Sequence, residues 1–189
     1  MTPDLHPWAA DLSDLYAQVW ARLVRGVRDR RAPARHPTLA TVTPDGKPQA
    51  RTVVLRAADK GTGTLDIHTH LLSSKVAALR ATPFAALHVW DAAAHLQMRL
   101  ESTVTILIGA DVAATWAGLP DASRQSYGSL PAPGQPIAQA LDYAKRADPA
   151  SFAVLRLTVQ TIDALHLGPL HRRARFDRSV GWTGTWLAP

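Results

Sequence analysis

The sequence predicts a mainly β protein, an antiparallel barrel with peripheral helices (α+β), and three observations carry that prediction. Short runs rich in Val, Ile, Leu and Thr recur after residue 37, most of them joined by turns rather than by helices. Apolar spacing of three and four residues is confined to the N-terminus and to brief stretches between those runs. Regular strand–helix alternation is missing, and so are G-x-G-x-x-G and Walker patterns, which argues against a doubly wound nucleotide fold. At 189 residues with 47% apolar content the chain, 1–189, reads as a single domain with a sizeable core.

Leu12, Leu15, Tyr16, Val19, Leu23 and Val27 form an apolar stripe, so a helix is expected from about Pro7 to Arg31. Arg22, Arg25 and Arg28 sit on its polar side, and Pro33 ends it. The period then changes to two. Thr38 to Thr43 is a strand, Pro44-Asp45-Gly46-Lys47 a turn, and Gln49 to Arg56 the returning strand of a hairpin. Thr64 to Thr69 is a third strand, leading into a short helix with serines at its start and Pro83 at its end. Phe84 to Trp90 and Leu96 to Ile108 make a second antiparallel pair. In the later strand His95, Gln97, Arg99 and Glu101 share one face and Leu96, Met98 and Leu100 the other.

Asp111 to Leu119 looks helical, and Ile137 to Arg146 reads as another short helix. Between them, Pro120 to Pro136 is rich in Pro, Gly and Ser and too long for a simple connection, which suggests a functional loop or lid. Phe152 to Thr158, Ile162 to Leu167, Arg173 to Phe176 and Trp182 to Leu187 complete a set of seven or eight strands. Such a set closes most simply as a barrel.

The chain has no cysteine, which excludes disulfides, thiolate metal sites and a cysteine nucleophile. Met1 to Leu5 lacks the pattern of a signal peptide, and no apolar run reaches the roughly 20 residues of a membrane span. A cytoplasmic protein is expected. The net charge is +6, with 17 Arg against 4 Lys. Six of these arginines lie between Arg22 and Arg35, and four between Arg172 and Arg178. Such clusters would suit a basic nucleic-acid-binding domain. No aromatic interleaving or nucleic-acid motif accompanies them, which favours a solvated helix face with some arginines spent on a phosphorylated cofactor.

The chemistry-bearing residues are few. Arg51-Thr52-Val53-Val54-Leu55-Arg56 is an apolar strand with a cation at each end, and Ser73-Ser74-Lys75 opens a helix. Together they supply a guanidinium fork, an ammonium, hydroxyls and helix N–H groups, the parts that hold a phosphate. His68 and His70 share a strand face, but a lone H-x-H without acidic ligands at suitable spacing is not read as a metal site. There is no G-x-S-x-G, and the carboxylates are scattered. Gln97 and Arg99 could face a ring lying on the sheet. Trp182 and Trp186 share a face, as core packing or as ring partners.

In their order and spacing Arg51 to Arg56, His68-Thr69, Ser73-Ser74-Lys75, Gln97-Met98-Arg99 and the closing Leu170-His171-Arg172-Arg173, Trp182 and Leu187-Ala188-Pro189 resemble the pyridoxamine 5′-phosphate oxidase-like family. The resemblance runs over roughly His36 to Pro189 and implies an FMN-binding split β-barrel, a homodimer with FMN at the interface, and a small-molecule redox substrate. By that resemblance Arg51, Arg56, Ser74 and Lys75 hold the FMN phosphate. Val53, Val54, His68 and Thr69, with Thr52 and Leu55 in the same segments, line the ribityl chain and ring. Gln97, Arg173 and Trp182 reach the flavin, some of them from the partner subunit, and His171 contacts substrate. The Pro131 to Pro136 loop is closer to the oxidase-related branch than to the vitamin B6 enzymes.

Two departures concern the substrate. The family's oxidases use an R-x-H pattern where this chain has Pro169-Leu170-His171, and Thr115 to Pro120 lacks the Tyr and Arg of their phosphate clamp. The expected function is therefore an FMN-dependent oxidoreductase with an altered substrate site, its rival within the fold being a non-catalytic flavin-binding protein.

Overall fold

The computed structural model describes residues 5–189; Met1 to Asp4, part of the segment read above for a leader pattern, lie outside the described residues. A short 3₁₀ turn at Pro7–Ala10 precedes α1 (Leu12–Arg28), so the single helix expected over 7–31 is interrupted and shorter at both ends. The break falls at Asp11, whose carboxylate caps α1 by accepting from the Asp14 amide. Leu15, Val19 and Leu23 bury the apolar stripe against the sheet. At Gly26 a Cβ would come within 2.6 Å of the Ala34 backbone, so only glycine lets the turn at Pro33–Arg35 fold onto the helix.

Nine strands follow, all pairing antiparallel: β1 (Thr38–Val42), β2 (Pro48–Thr52), β3 (Leu55–Asp59), β4 (Thr64–His70), β5 (Phe84–Asp91), β6 (Leu96–Leu107), β7 (Phe152–His166), β8 (Arg172–Asp177) and β9 (Gly184–Leu187). Their order is β2-β1-β5-β6-β7-β4-β3, with β8 and β9 branching from β7. The segment 49–56, expected as one strand, is two. β2 belongs to one end of this order and β3 to the other, and only Val53 and Val54 lie between them. So short a link spans at most about 11 Å, so the sheet must curl until its ends nearly meet. That is the seam of a split barrel.

Two other expectations are corrected. Residues 152–158 and 162–167 form one bent strand, because β7 pairs with β4 along its first half and with β8 along its second. Residues 137–146 are not helical. Leu141 is 80% exposed, and Ala144 pairs with Leu130 instead. A helix of that length with no buried face is marginal in water.

α2 (Ser74–Ala81) packs on β1 and β6, while α3 (Ala113–Ala117) and α4 (Asp121–Arg124) lie in the connection from β6 to β7. The main core fills the space inside the barrel, with Leu39, Leu87, Met98, Leu100, Leu155 and Ile162 fully buried. A second small core of Val112, Tyr127, Phe152 and Val154 lies beneath α3. Among the described residues no helix is long and apolar enough to cross a membrane.

Candidate functional site

The candidate site straddles the seam. Arg51 faces inward from β2, where its guanidinium donates to Thr41 Oγ1 at 2.6 Å and to Gln49 Oε1 at 2.8 Å. Across from it the chain turns from β4 into α2. There the Thr69 and Ser73 hydroxyls lie 3.2 Å apart and Lys75 Nζ donates to Thr69 Oγ1 at 3.1 Å. Ser73 is the N-cap of α2, yet its hydroxyl makes no bond to the helix amides. Val76 is the first residue whose amide bonds back to the Ser73 carbonyl, so the Ser74 and Lys75 amides precede the helical ladder.

The electrostatics are those of a site prepared for an anion. Burial, followed by repulsion from Arg51, holds the Lys75 ammonium below its ordinary pKa, and burial lowers Arg51. Neither cation has a carboxylate partner among the described residues, whereas Arg22, Arg25, Arg99, Arg156 and Arg173 each pair with an aspartate. A fork, an ammonium, two hydroxyls and a helix start fit a phosphate monoester in both charge and donor count.

Arg56, on β3 just past the link, belongs to a neighbouring group. Its Nε is buried without an acceptor, as is Nδ1 of His68. Burial and then the Arg56 charge lower the His68 pKa from 6.5 to about 4, so the ring is neutral near pH 7. Burial also raises the Tyr127 hydroxyl, and Arg56 opposes that shift. His68 and Tyr127 both meet the Phe152 ring edge-on, with centroids 5.1 and 5.0 Å away. His70 turns elsewhere, accepting from the Leu72 amide at Nδ1.

On the outer face of the barrel the strand register sets Trp90, Gln97, Leu165 and Arg173 in one row across β5 to β8. Arg173 is already engaged: Asp163 accepts from its Nε at 3.2 Å and its Nη2 at 2.8 Å, and from Arg99 Nη2 at 3.0 Å.

The structure therefore gathers the sequence-predicted residues into three sets: Arg51, Thr69 and Lys75; Arg56 and His68; Gln97 and Arg173. Val53 and Leu55 are buried around the link, Val54 is half-buried and Thr52 exposed, while Ser74 contributes helix start rather than a buried hydroxyl. Two predicted residues join none of these. His171 is exposed in the β7–β8 connection. Trp182 lies on the opposite side of β8 from Arg173, its ring 5.8 Å from that of Tyr16.

The sequence reading missed Thr41, Gln49 and Tyr127, and named Ser73 only as part of the helix start. Gln49 was detectable, since it shares a strand face with Arg51 two residues on. Tyr127 was not, because it comes from a stretch without periodicity.

The fold and this site define a class, the antiparallel split barrel with a phosphate cradle at its seam. The sequence model described as "Pyridoxamine 5'-phosphate oxidase, FMN-binding domain" matches residues 7–108. The chain is 32% identical over 168 residues to the pyridoxine/pyridoxamine 5'-phosphate oxidase of Rhodopseudomonas palustris, covering 80% of this chain and 78% of that protein. It is 41% identical over 87 residues to the protein of the same name from Gloeothece citriformis, a match spanning 46% of this chain and only 40% of that relative's length. The crystal structure of a pyridoxamine 5'-phosphate oxidase-related, FMN binding protein from Nostoc punctiforme superposes with a TM-score of 0.74 at 26% identity, over 92% of this chain and 96% of that one. The chain belongs to the pyridoxamine 5'-phosphate oxidase-like FMN-binding family, and its architecture is that family's flavin-binding split barrel.

Proposed function

We propose that this protein is an FMN-dependent oxidoreductase, acting as a homodimer, with a substrate site unlike that of the vitamin B6 phosphate oxidases. The observation that carries the reading is the pair Arg51 and Lys75, held together beside the start of α2 with no carboxylate among the described residues to neutralise them. In this reading Arg51, Lys75, the Thr69 and Ser73 hydroxyls and the Ser74 amide take the FMN phosphate, with Arg56 completing the set across the seam. Val53, Val54, His68 and Thr69 line the ribityl chain. Gln97 offers its amide to the polar edge of the ring, with Leu165 and Arg173 in the same row. FMN supplies reversible two-electron transfer at N5, while the chain supplies position and field.

A second copy of the chain would cover the apolar part of the outer face, where Val42, Phe84 and Trp90 are 39%, 59% and 42% exposed. The substrate side supports a departure from the oxidases. Pro169 has no side-chain donor. Trp116 packs on Phe152, and Arg124 is tied to the Trp116 and Ala117 carbonyls and to Asp121. Pyridoxine and pyridoxamine 5′-phosphates are therefore expected to turn over with kcat/KM below about 10⁴ M⁻¹s⁻¹, the low end of the ordinary enzyme range.

The deciding experiment is purification and flavin analysis. The protein should be yellow, dimeric by light scattering, and should bind FMN more tightly than riboflavin. Equal affinity for the two flavins would remove the phosphate cradle from the reading. A non-catalytic flavin-binding role is the second reading, favoured by the neutral state in which burial and Arg56 hold the His68 ring beside the seam. Reduction of the bound flavin by candidate donors separates the two.

A further inference from the structure

Trp182 is the residue whose position the flavin reading leaves unexplained. Its backbone has φ +65°, in the left-handed region that residues with a bulky Cβ substituent avoid. It follows Gly181 at φ +67° and is held by its amide bonding to the Asp177 carbonyl at 2.9 Å. Such strain persists only where the surroundings enforce it, and it collects at ligand clamps. Here it places the indole beside Tyr16 of α1, with planes 33° apart, and Phe176 also packs on Tyr16, with centroids 5.2 Å apart.

These three rings wall a cleft of about 710 Å³ between α1, the β3–β4 turn and the β8–β9 turn. The volume suits a small organic molecule. Three glycines, Gly61, Gly181 and Gly184, keep it open. A Cβ on Gly184 would come within 2.6 Å of the Phe176 ring and 2.9 Å of Leu12, so this part of the wall cannot carry a side chain that fills the space.

The charge of the cleft is one-sided. Lys60 lies at its edge with Nζ 5.2 Å from the Tyr16 ring centre and has no carboxylate partner among the described residues. Arg178 stands close behind, donating to the Thr62 carbonyl at 3.0 Å, and its charge acts on the Tyr16 hydroxyl. None of the lining residues is acidic. The nearby Asp59 and Asp177 are occupied in their own turns, accepting from Gly61 and Ser179.

We propose that this cleft is a second binding site, separate from the phosphate cradle, for a planar aromatic molecule bearing a carboxylate. The ring inserts beside Trp182 and Tyr16, and the carboxylate meets Lys60 at the open edge. Stacking supplies the affinity and the ammonium selects the charge. The site lies on the α1 side of β8, opposite the row that holds Gln97 and Arg173, so it neither requires nor displaces a bound flavin.

The test is calorimetric titration of the FMN-saturated protein with 1-naphthoate and with the neutral 1-naphthalenemethanol. Saturable naphthoate binding is expected, about tenfold tighter than that of the alcohol, with K60M erasing the difference and FMN affinity unchanged. W182L should weaken both probes. In the unmodified protein, the Trp182 indole N–H resonance should move with naphthoate concentration, a readout that needs no variant to fold. The proposal is overturned if naphthoate does not saturate, if the alcohol binds equally well, or if the Trp182 resonance stays fixed while binding proceeds. Competition between naphthoate and FMN would also overturn it, by placing both in one site.

Discussion

Two regions of the barrel handle positive charge in opposite ways. On the outer face Asp163 is shared by Arg99 and Arg173, and on the other half of β7 Arg156 forms a two-bond pair with Asp66. At the seam Arg51 and Lys75 repel one another, Arg56 keeps a buried donor unused, and no carboxylate answers any of them among the described residues. Paired charges on a sheet are part of the structure's own account. Half-buried cations without counter-charge are a cost to the empty protein, offset only when an anion arrives. The difference teaches where to look for a ligand without any bound one to point the way.

The largest test of that contrast replaces Arg51 and Lys75 together by alanine. At roughly 1.5–3 kcal/mol for each charge-assisted bond, FMN affinity should fall by about 10²–10⁴, measured by fluorescence titration. Replacing Arg99 by glutamine, on the paired side, should leave it within about threefold. Comparable losses from both changes would erase the distinction.

A smaller effect comes from His68. Its folded pKa near 4 lies below its ordinary 6.5, so between those values the unfolded chain takes up a proton that the folded chain refuses. Stability of the apoprotein should therefore be full above pH 6.5 and decline as pH falls to about 4. The loss should be about 2 kcal/mol once solvent screening of a partly exposed ring is allowed for. Urea titrations across that range, with His68→Phe flattening the slope, check the assignment; an unchanged slope in the variant would move the cause elsewhere.

The smallest effects should differ in sign. Asp163→Asn strands two arginines and should cost about 1–2 kcal/mol. Lys75→Met removes an unmatched buried charge and should stabilise the apoprotein by up to about 1 kcal/mol while weakening FMN binding. Denaturation of both variants without flavin reads this directly, and destabilisation by Lys75→Met would mean that its bond to Thr69 outweighs its repulsion by Arg51.

Most of the strand order from β1 to β6 was legible because alternation of period two survives wherever one face is buried. What misled was change of partner. Nothing in Arg51 to Arg56 announces that the chain leaves one sheet edge and joins the other, since both halves are equally strand-like. Conversely Val159-Gln160-Thr161 looked like a break, and it marks the place where β7 exchanges β4 for β8. Residues 137–146 carry good helix formers but no surface to bury them on. In the proposed site, cations and hydroxyls are legible from their residue types, whereas the row that Leu165 shares with Gln97 and Arg173 is set by strand register and is not.

The two-residue link Val53-Val54 has a mechanical consequence. Arg51 stands on one lip of an open cylinder and Arg56 on the other, so a molecule gripped by both works as a clasp. In the proposed binding mode, shedding the cofactor and springing the cylinder become neighbouring events. Occupancy at a hundred times the dissociation constant would add about 2.7 kcal/mol against unfolding. The gain should appear first as slower proteolysis at the link itself, the point where the wall was left unsealed.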